Sequence, residues 1–282
     1  MLGLAEKSRV SHHKEIFTRR GEDRMNKRFL ISPAPLLIIA AFAVIPAVAQ
    51  AGPPELGRCL KVVGGSGPKY KDAGCEKGVV STGKYEWFPG AILSRFTSKE
   101  GKSTIETVGK VRIICTADTD SGAYTGPKTD IESITFTGCT FTGLGLKASC
   151  QTSTSNAPGE IVTNPLTSVL GFIKKPSTIG MSLEGPGGVF AEFTCGPYRI
   201  VISGSVIAQI TPVSKMTITF KEKFVATKGL QKPEQFEGEP KDTLLCSVIE
   251  AASGVLLASE QCGFTSADIV TNEELLEVNE VL

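Results

Sequence analysis

Beyond residue 13 the chain has no histidine: of its 282 residues only His12 and His13 carry an imidazole. That absence excludes Ser-His-Asp and Cys-His catalysis, histidine-ligated zinc and a histidine general base from everything downstream. Cys-x-x-Cys is missing as well, although there are eight cysteines, so zinc-ribbon and thioredoxin-like readings fall away. Aromatic residues are sparse, with one Trp and four Tyr, which leaves few platforms for stacking on sugars. No charge of one sign dominates. Residues 1–51 hold eight of the 30 basic and four of the 29 acidic residues, leaving 22 against 25 and no electrostatic footprint for nucleic acid. Apolar residues at helical spacings of three and four are largely absent. After residue 51 no apolar run reaches the about 20 residues that cross a bilayer.

What is present begins with an export signal. From Met25 to Ala51 the chain reads MNKRFLISPAPLLIIAAFAVIPAVAQA. Lys27 and Arg28 lead an apolar stretch densest from Leu36 to Ile45, followed by Pro46 and Ala49-Gln50-Ala51. A positive lead, a short apolar segment and an Ala-x-Ala end are the parts of a secretory signal peptide. Cleavage is expected after Ala51, with cleavage after Ala49 as the alternative. Arg19, Arg20, Glu22, Asp23 and Arg24 sit oddly upstream of such a signal, so residues 1–24 read as lying before the true start at Met25. No cysteine directly follows the cleavage site, so a lipid anchor has no support. Residues 52–282 are then a secreted product without a membrane span, long enough for one large or two small domains.

All eight cysteines, at positions 59, 75, 115, 139, 150, 195, 246 and 262, lie in that product. An even count in an exported chain implies disulfides. Sequence proximity favours Cys59 with Cys75, Cys139 with Cys150 and Cys246 with Cys262, leaving Cys115 with Cys195 by elimination.

Several stretches alternate apolar and polar residues with the period of a half-buried strand. Met216 to Lys221 and Ile134 to Thr137 are the clearest, while Val111 to Cys115 and Tyr198 to Ser203 are β-branched and read as better-buried strands. Asp120-Ser121-Gly122 and Gly185-Pro186-Gly187-Gly188 read as turns between them. Asn272 to Val278 is the one segment with a helical alternative. The expectation is an all-β sandwich or barrel of antiparallel strands, linked by disulfides. Ile161-Val162-Thr163-Asn164 recurs as Ile269-Val270-Thr271-Asn272, and Thr104 to Cys115 and Phe190 to Ser203 both read as hairpins with a central Gly. These echoes suggest two related halves, residues 83–166 and 172–272.

Without histidine or free thiols, the chemistry left is that of carboxylate, Lys, Tyr or Ser-Lys. Two carboxylates suffice for glycoside hydrolysis. Glu106 and Glu192 occupy corresponding places in the two hairpins, and Glu86 flanks Trp87 in the aromatic run Tyr85-Glu86-Trp87-Phe88. Acids on alternating strands ordinarily face water, and a lone Trp in a β-protein ordinarily packs in the core beside a disulfide. Trp87, Glu106 and Glu192 are the surface candidates. Gly101-Lys102-Ser103 lacks the earlier glycine of a phosphate loop, and Gly65-Ser66-Gly67 lacks the spacing of a nucleophile elbow. Asp118-Thr119-Asp120-Ser121-Gly122 begins like a calcium loop, but Gly122 and Thr129 stand at its positions 5 and 12, where Asp or Asn and Glu belong. No catalytic residue, metal ligand or cofactor is assigned.

The segments Gly57-Arg58-Cys59, Asp72-Ala73-Gly74-Cys75, Lys84-Tyr85-Glu86-Trp87, Tyr124-Thr125-Gly126-Pro127-Lys128, Gly159 to Leu166 and Lys232-Pro233-Glu234 together resemble a family of secreted β-rich proteins from high-GC Gram-positive bacteria. The resemblance spans most of residues 52–282; it implies export and supplies no activity or site. The expected role is therefore a secreted, non-enzymatic binding or structural module of the cell envelope or exterior, with cell-wall glycan or another envelope component as partner. A carboxylate-dependent glycan hydrolase and a carrier of an apolar ligand inside a barrel are the rival readings.

Overall fold

A computed structural model describes residues 54–63, 70–77, 83–152 and 157–280. The expected signal peptide, the residues before it and Gly65-Ser66-Gly67 lie outside the described residues. Every regular element described is a β-strand. In chain order come β1 (Glu55–Lys61), β2 (Tyr85–Pro89), β3 (Arg95–Glu100) and β4 (Ser103–Thr107). Next are β5 (Arg112–Cys115), β6 (Ala117–Tyr124), β7 (Thr129–Thr137), β8 (Thr140–Gly143) and β9 (Leu146–Gln151). The short β10 (Ile161–Val162) precedes β11 (Leu166–Lys174), β12 (Thr178–Cys195) and β13 (Tyr198–Thr211). β14 (Thr217–Thr227), β15 (Leu230–Lys232), β16 (Leu244–Glu250) and the long β17 (Leu256–Asn279) complete the chain.

Each passage pairs antiparallel with the one before it, and the last closes on the first. One circuit runs β3, β6, β7, β11, β12, β13, β14, β17 and back to β3. A second circuit runs β4, β5, β8, β9, β12, β13, β16, β17 and back to β4. Because β12, β13 and β17 run through both, the circuits are two storeys of a single up-and-down barrel of eight staves. Closure leaves no open sheet edge around the wall. β1 caps one end, pairing with the end of β17 and with β2.

The hairpins expected at Thr104 to Cys115 and Phe190 to Ser203 are present as β4–β5 and β12–β13. Three local expectations are corrected. Asp120-Ser121-Gly122 is not a turn but the middle of β6, where the Phe96 ring leaves no room for a side chain: a Cβ on Gly122 would meet it at 2.3 Å. Gly185 to Gly188 is a bulge within β12, its register shifting against β13 between Glu184 and Val189. Gly187 and Gly188 take positive φ there, a conformation open to glycine. Asn272 to Val278 is strand, burying Leu276 and Val278. The tetrads of the suggested repeat face differently: Ile161 and Thr163 are buried in one, Val270 and Asn272 in the other.

The disulfides join Cys59 to Cys75, Cys115 to Cys139, Cys150 to Cys195 and Cys246 to Cys262. Two of the expected pairs are therefore corrected. Cys139 and Cys150 are neighbours, since the Cys150 amide donates to the Cys139 carbonyl at 3.0 Å. Their side chains nevertheless turn to partners on the opposite strands, and Cys150 lies directly across from Cys195 between β9 and β12. Proximity along the chain misses this because the meander brings each stave against two others.

Inward positions are apolar at both ends of the barrel. One cluster, including Phe141, Phe193, Ile202, Phe224 and Phe264, fills the storey that holds three of the disulfides. Another, including Phe96, Leu170, Met181, Phe220 and Val270, fills the storey capped by β1. The outer wall carries charged residues such as Arg95, Lys99, Lys221 and Lys223, the reverse of a barrel that faces lipid. No helix among the described residues is long and apolar enough to cross a membrane.

Candidate functional site

Between the two apolar clusters runs a polar belt. On β14 the inward sequence is Phe220, Glu222, Phe224, and on β11 it is Leu166, Ser168, Leu170; in each, a buried polar residue separates members of different clusters. β17 places Ser266 and Asp268 between Phe264 and Val270 in the same way. β6 adds Asp118 and Asp120, β7 adds Asp130 and Glu132, and β3 adds Ser98 and Glu100. Strand alternation alone aims these side chains inward. Seven carboxyl groups thus meet in the barrel wall, and none of the described ion pairs involves them.

Their hydrogen bonds are incomplete. Ser98 Oγ donates to Asp120 Oδ2 at 2.6 Å, and the Ser266 hydroxyl and the Ala267 amide both reach Glu100 Oε2. Tyr124 donates to Asn272 Oδ1 at 2.7 Å beside them. Asp118 Oδ2 and Asp120 Oδ1 are buried without a hydrogen-bond partner, and Asp130 has only the Ser168 hydroxyl beside it. Burial and mutual repulsion hold the other six of the belt's acids, Glu100 apart, protonated to unusually high pH. Burial, then Glu100 and Asp120, pushes Asp118 up to about 6, and burial with Asp120 does the same to Asp130. Burial, then Asp130 and Asp120, pushes Glu222 up to about 8. Asp268 rises to about 9 through burial, Asp118 and Glu100. Burial and the neighbouring acids raise Glu132 as well.

The surface candidates from sequence are placed elsewhere. Glu106 pairs with Arg112 across the β4–β5 hairpin at 2.9 Å, and Glu192 pairs with Arg199 across the β12–β13 hairpin at 2.9 Å. The two hairpins do present their acids alike, each to its own Arg, on strands that do not pair with each other. Such exposed pairs contribute about 0–1 kcal/mol. Trp87 is half-buried on β2, directly across from Cys59 and over Gly57, beside the Cys59–Cys75 disulfide.

A groove of about 720 Å³ lies on the outer face of the wall beyond the belt. Arg95 and Thr97 of β3, Ser121 of β6, Ile131 and Ser133 of β7, and Thr271 and Glu273 of β17 line it. These residues are the outward counterparts of the belt acids on the same four strands, so the strands that carry the acids inside carry hydroxyls and a charge of each sign outside. By contrast, the apolar void beside Phe136, Phe193 and Phe264 is only about 20 Å³, about the space of one water molecule.

No protein-family model matches the chain, and no curated protein or solved structure matches it either.

Proposed function

We propose that the protein is a secreted, non-enzymatic binding module of the cell envelope or exterior, and that the groove over β3, β6, β7 and β17 contacts its ligand. The groove carries this reading. Its volume is that of a ligand site, and Thr97, Ser121, Ser133 and Thr271 offer hydroxyls around the apolar Ile131, with Arg95 and Glu273 at hand. That mixture suits a hydroxyl-rich polymer such as cell-wall glycan.

Export is supported by the signal-like segment, by four disulfides that need an oxidising compartment, and by the resemblance to secreted β-rich proteins of high-GC Gram-positive bacteria. A non-enzymatic role is supported by Glu106 and Glu192, each committed to an arginine. The filled interior favours a surface contact over carriage of an apolar ligand.

The test is retention on purified, insoluble cell-wall glycan. The folded protein is expected to sediment with the glycan, and Ser121→Arg, which fills the groove from an exposed position, is expected to stay in the supernatant. Failure of the unaltered protein to sediment, or equal sedimentation of both, overturns the reading.

A further inference from the structure

Three members of the belt converge more closely than the rest. One carboxylate oxygen from each of Glu100, Asp118 and Asp268 lies within 4.8 Å of the others. Calcium binds oxygens at about 2.3–2.6 Å, so two ligands of one ion stand at most about 5 Å apart. A single ion can therefore touch all three oxygens.

Convergence of acids is ordinary on a surface; the second observation is what distinguishes this place. Asp118 is 3% exposed; Asp268 and the Glu100 backbone hydrogen-bond its carboxyl group, yet its Oδ2 is buried and meets no donor. Asp118 also lines, with Asp268, Ser98 and Glu222 but without Glu100, a cavity of about 10 Å³, about the space of one water molecule. A buried carboxylate oxygen without a donor is unfavourable unless positive charge answers it. None of the described ion pairs supplies that charge to any of the three acids.

We propose that Glu100, Asp118 and Asp268 bind one calcium ion within the barrel wall. Three carboxylates and no nitrogen or sulfur form a hard donor set, suited to calcium rather than to zinc or copper. Ser266, buried beside them, has its hydroxyl within reach of both Glu100 and Asp268 Oδ1 and fixes their orientation. Glu100 is half-buried and marks the way in. The three ligands come from β3, β6 and β17. β17 against β3 is the seam where the last stave meets the first, so the ion fastens the closure of the barrel. This site is separate from the groove, and glycan retention can fail while calcium still binds.

The experiment uses the purified, oxidised protein after chelator treatment, titrated with calcium chloride by calorimetry and melted with and without calcium or magnesium. One calcium per chain is expected. At a hundredfold excess over Kd it should raise Tm by about 5–10 °C, with a smaller rise from magnesium. Asp268→Asn and Glu100→Gln are each expected to weaken calcium binding at least tenfold and to lose most of the rise. Glu100 is half-buried, so Glu100→Gln remains informative even where Asp268→Asn fails to fold. Absence of both binding heat and a Tm rise in the unaltered protein overturns the proposal, because shared protons would then be what reconciles the acids. Undiminished binding in Glu100→Gln overturns it equally, by placing the ion elsewhere.

Discussion

Glu222 on β14 stands directly across from Asp268 on β17, and both side chains point into the barrel. Like charges in facing positions of an antiparallel pair destabilise it, and here burial compounds the repulsion. The two residues therefore mark where ionisation is most costly to the native structure.

Neutralising one partner should relieve it. In chelator at pH 8, Glu222→Gln is expected to raise stability by about 1–3 kcal/mol, since the unaltered carboxyl is strained whether it ionises or holds its proton. At pH 4, where both side chains are neutral, the gain should vanish. Urea unfolding at the two pH values measures the difference; a loss of stability at pH 8 would contradict it.

The pH dependence of the chelated protein has a definite sign. Asp130 rises to about 6 through burial and Asp120, Glu277 to about 7 through burial and Glu76, and Glu132 is raised by burial and Asp120. Acids that hold protons more tightly folded than unfolded stabilise the fold fully below about pH 4, and that stability drains as pH climbs through 6 and 7. Asp130 alone accounts for about 2–3 kcal/mol. Melting temperature in chelator should fall steadily from pH 4 to pH 8, and a Tm that rises over this range would count against the buried belt.

Non-reducing peptide mapping should recover Cys115 with Cys139 and Cys150 with Cys195, and no Cys139–Cys150 species. Replacing both Cys150 and Cys195 by Ala opens a crosslink spanning 45 residues and should lower stability by about 4 kcal/mol on the chain-entropy account. Denaturant unfolding of the double variant against the oxidised parent measures it.

Gly122→Ala should destabilise by about 1–3 kcal/mol, because its methyl group would press on the Phe96 ring and the Ile131 carbonyl. Circular dichroism melting reports the change. Pairing the substitution with Phe96→Leu should recover part of the loss, which a turn glycine would not show.

Much of the architecture was legible. The alternation at Ile134 to Thr137 and the β-branched run at Tyr198 to Ser203 identify strands because a half-buried wall demands that period. Glycines misled where they serve packing rather than turning: Gly122 makes way for an aromatic ring, and Gly187 and Gly188 form a bulge. The belt was half visible. In Phe220-Lys221-Glu222-Lys223-Phe224, Glu222 keeps the phase of the two buried phenylalanines, and Asp130 and Glu132 keep the phase of Ile134 and Phe136. An acid in the apolar phase of a strand is a local signal of burial. That Asp268, 150 residues beyond Asp118, would complete the cluster follows only from closure of the ring, which no local pattern encodes. The crossed disulfides were hidden for the same reason.

β17 pairs with β3, β4, β14 and β16 and also anchors β1. The 24 residues of β17 are therefore the keystone of the wall. Until they arrive, the earliest and latest staves keep bare backbone edges, so a growing or shortened chain has no intermediate in which every strand is satisfied. Closure of the wall must therefore wait until β17 has been made.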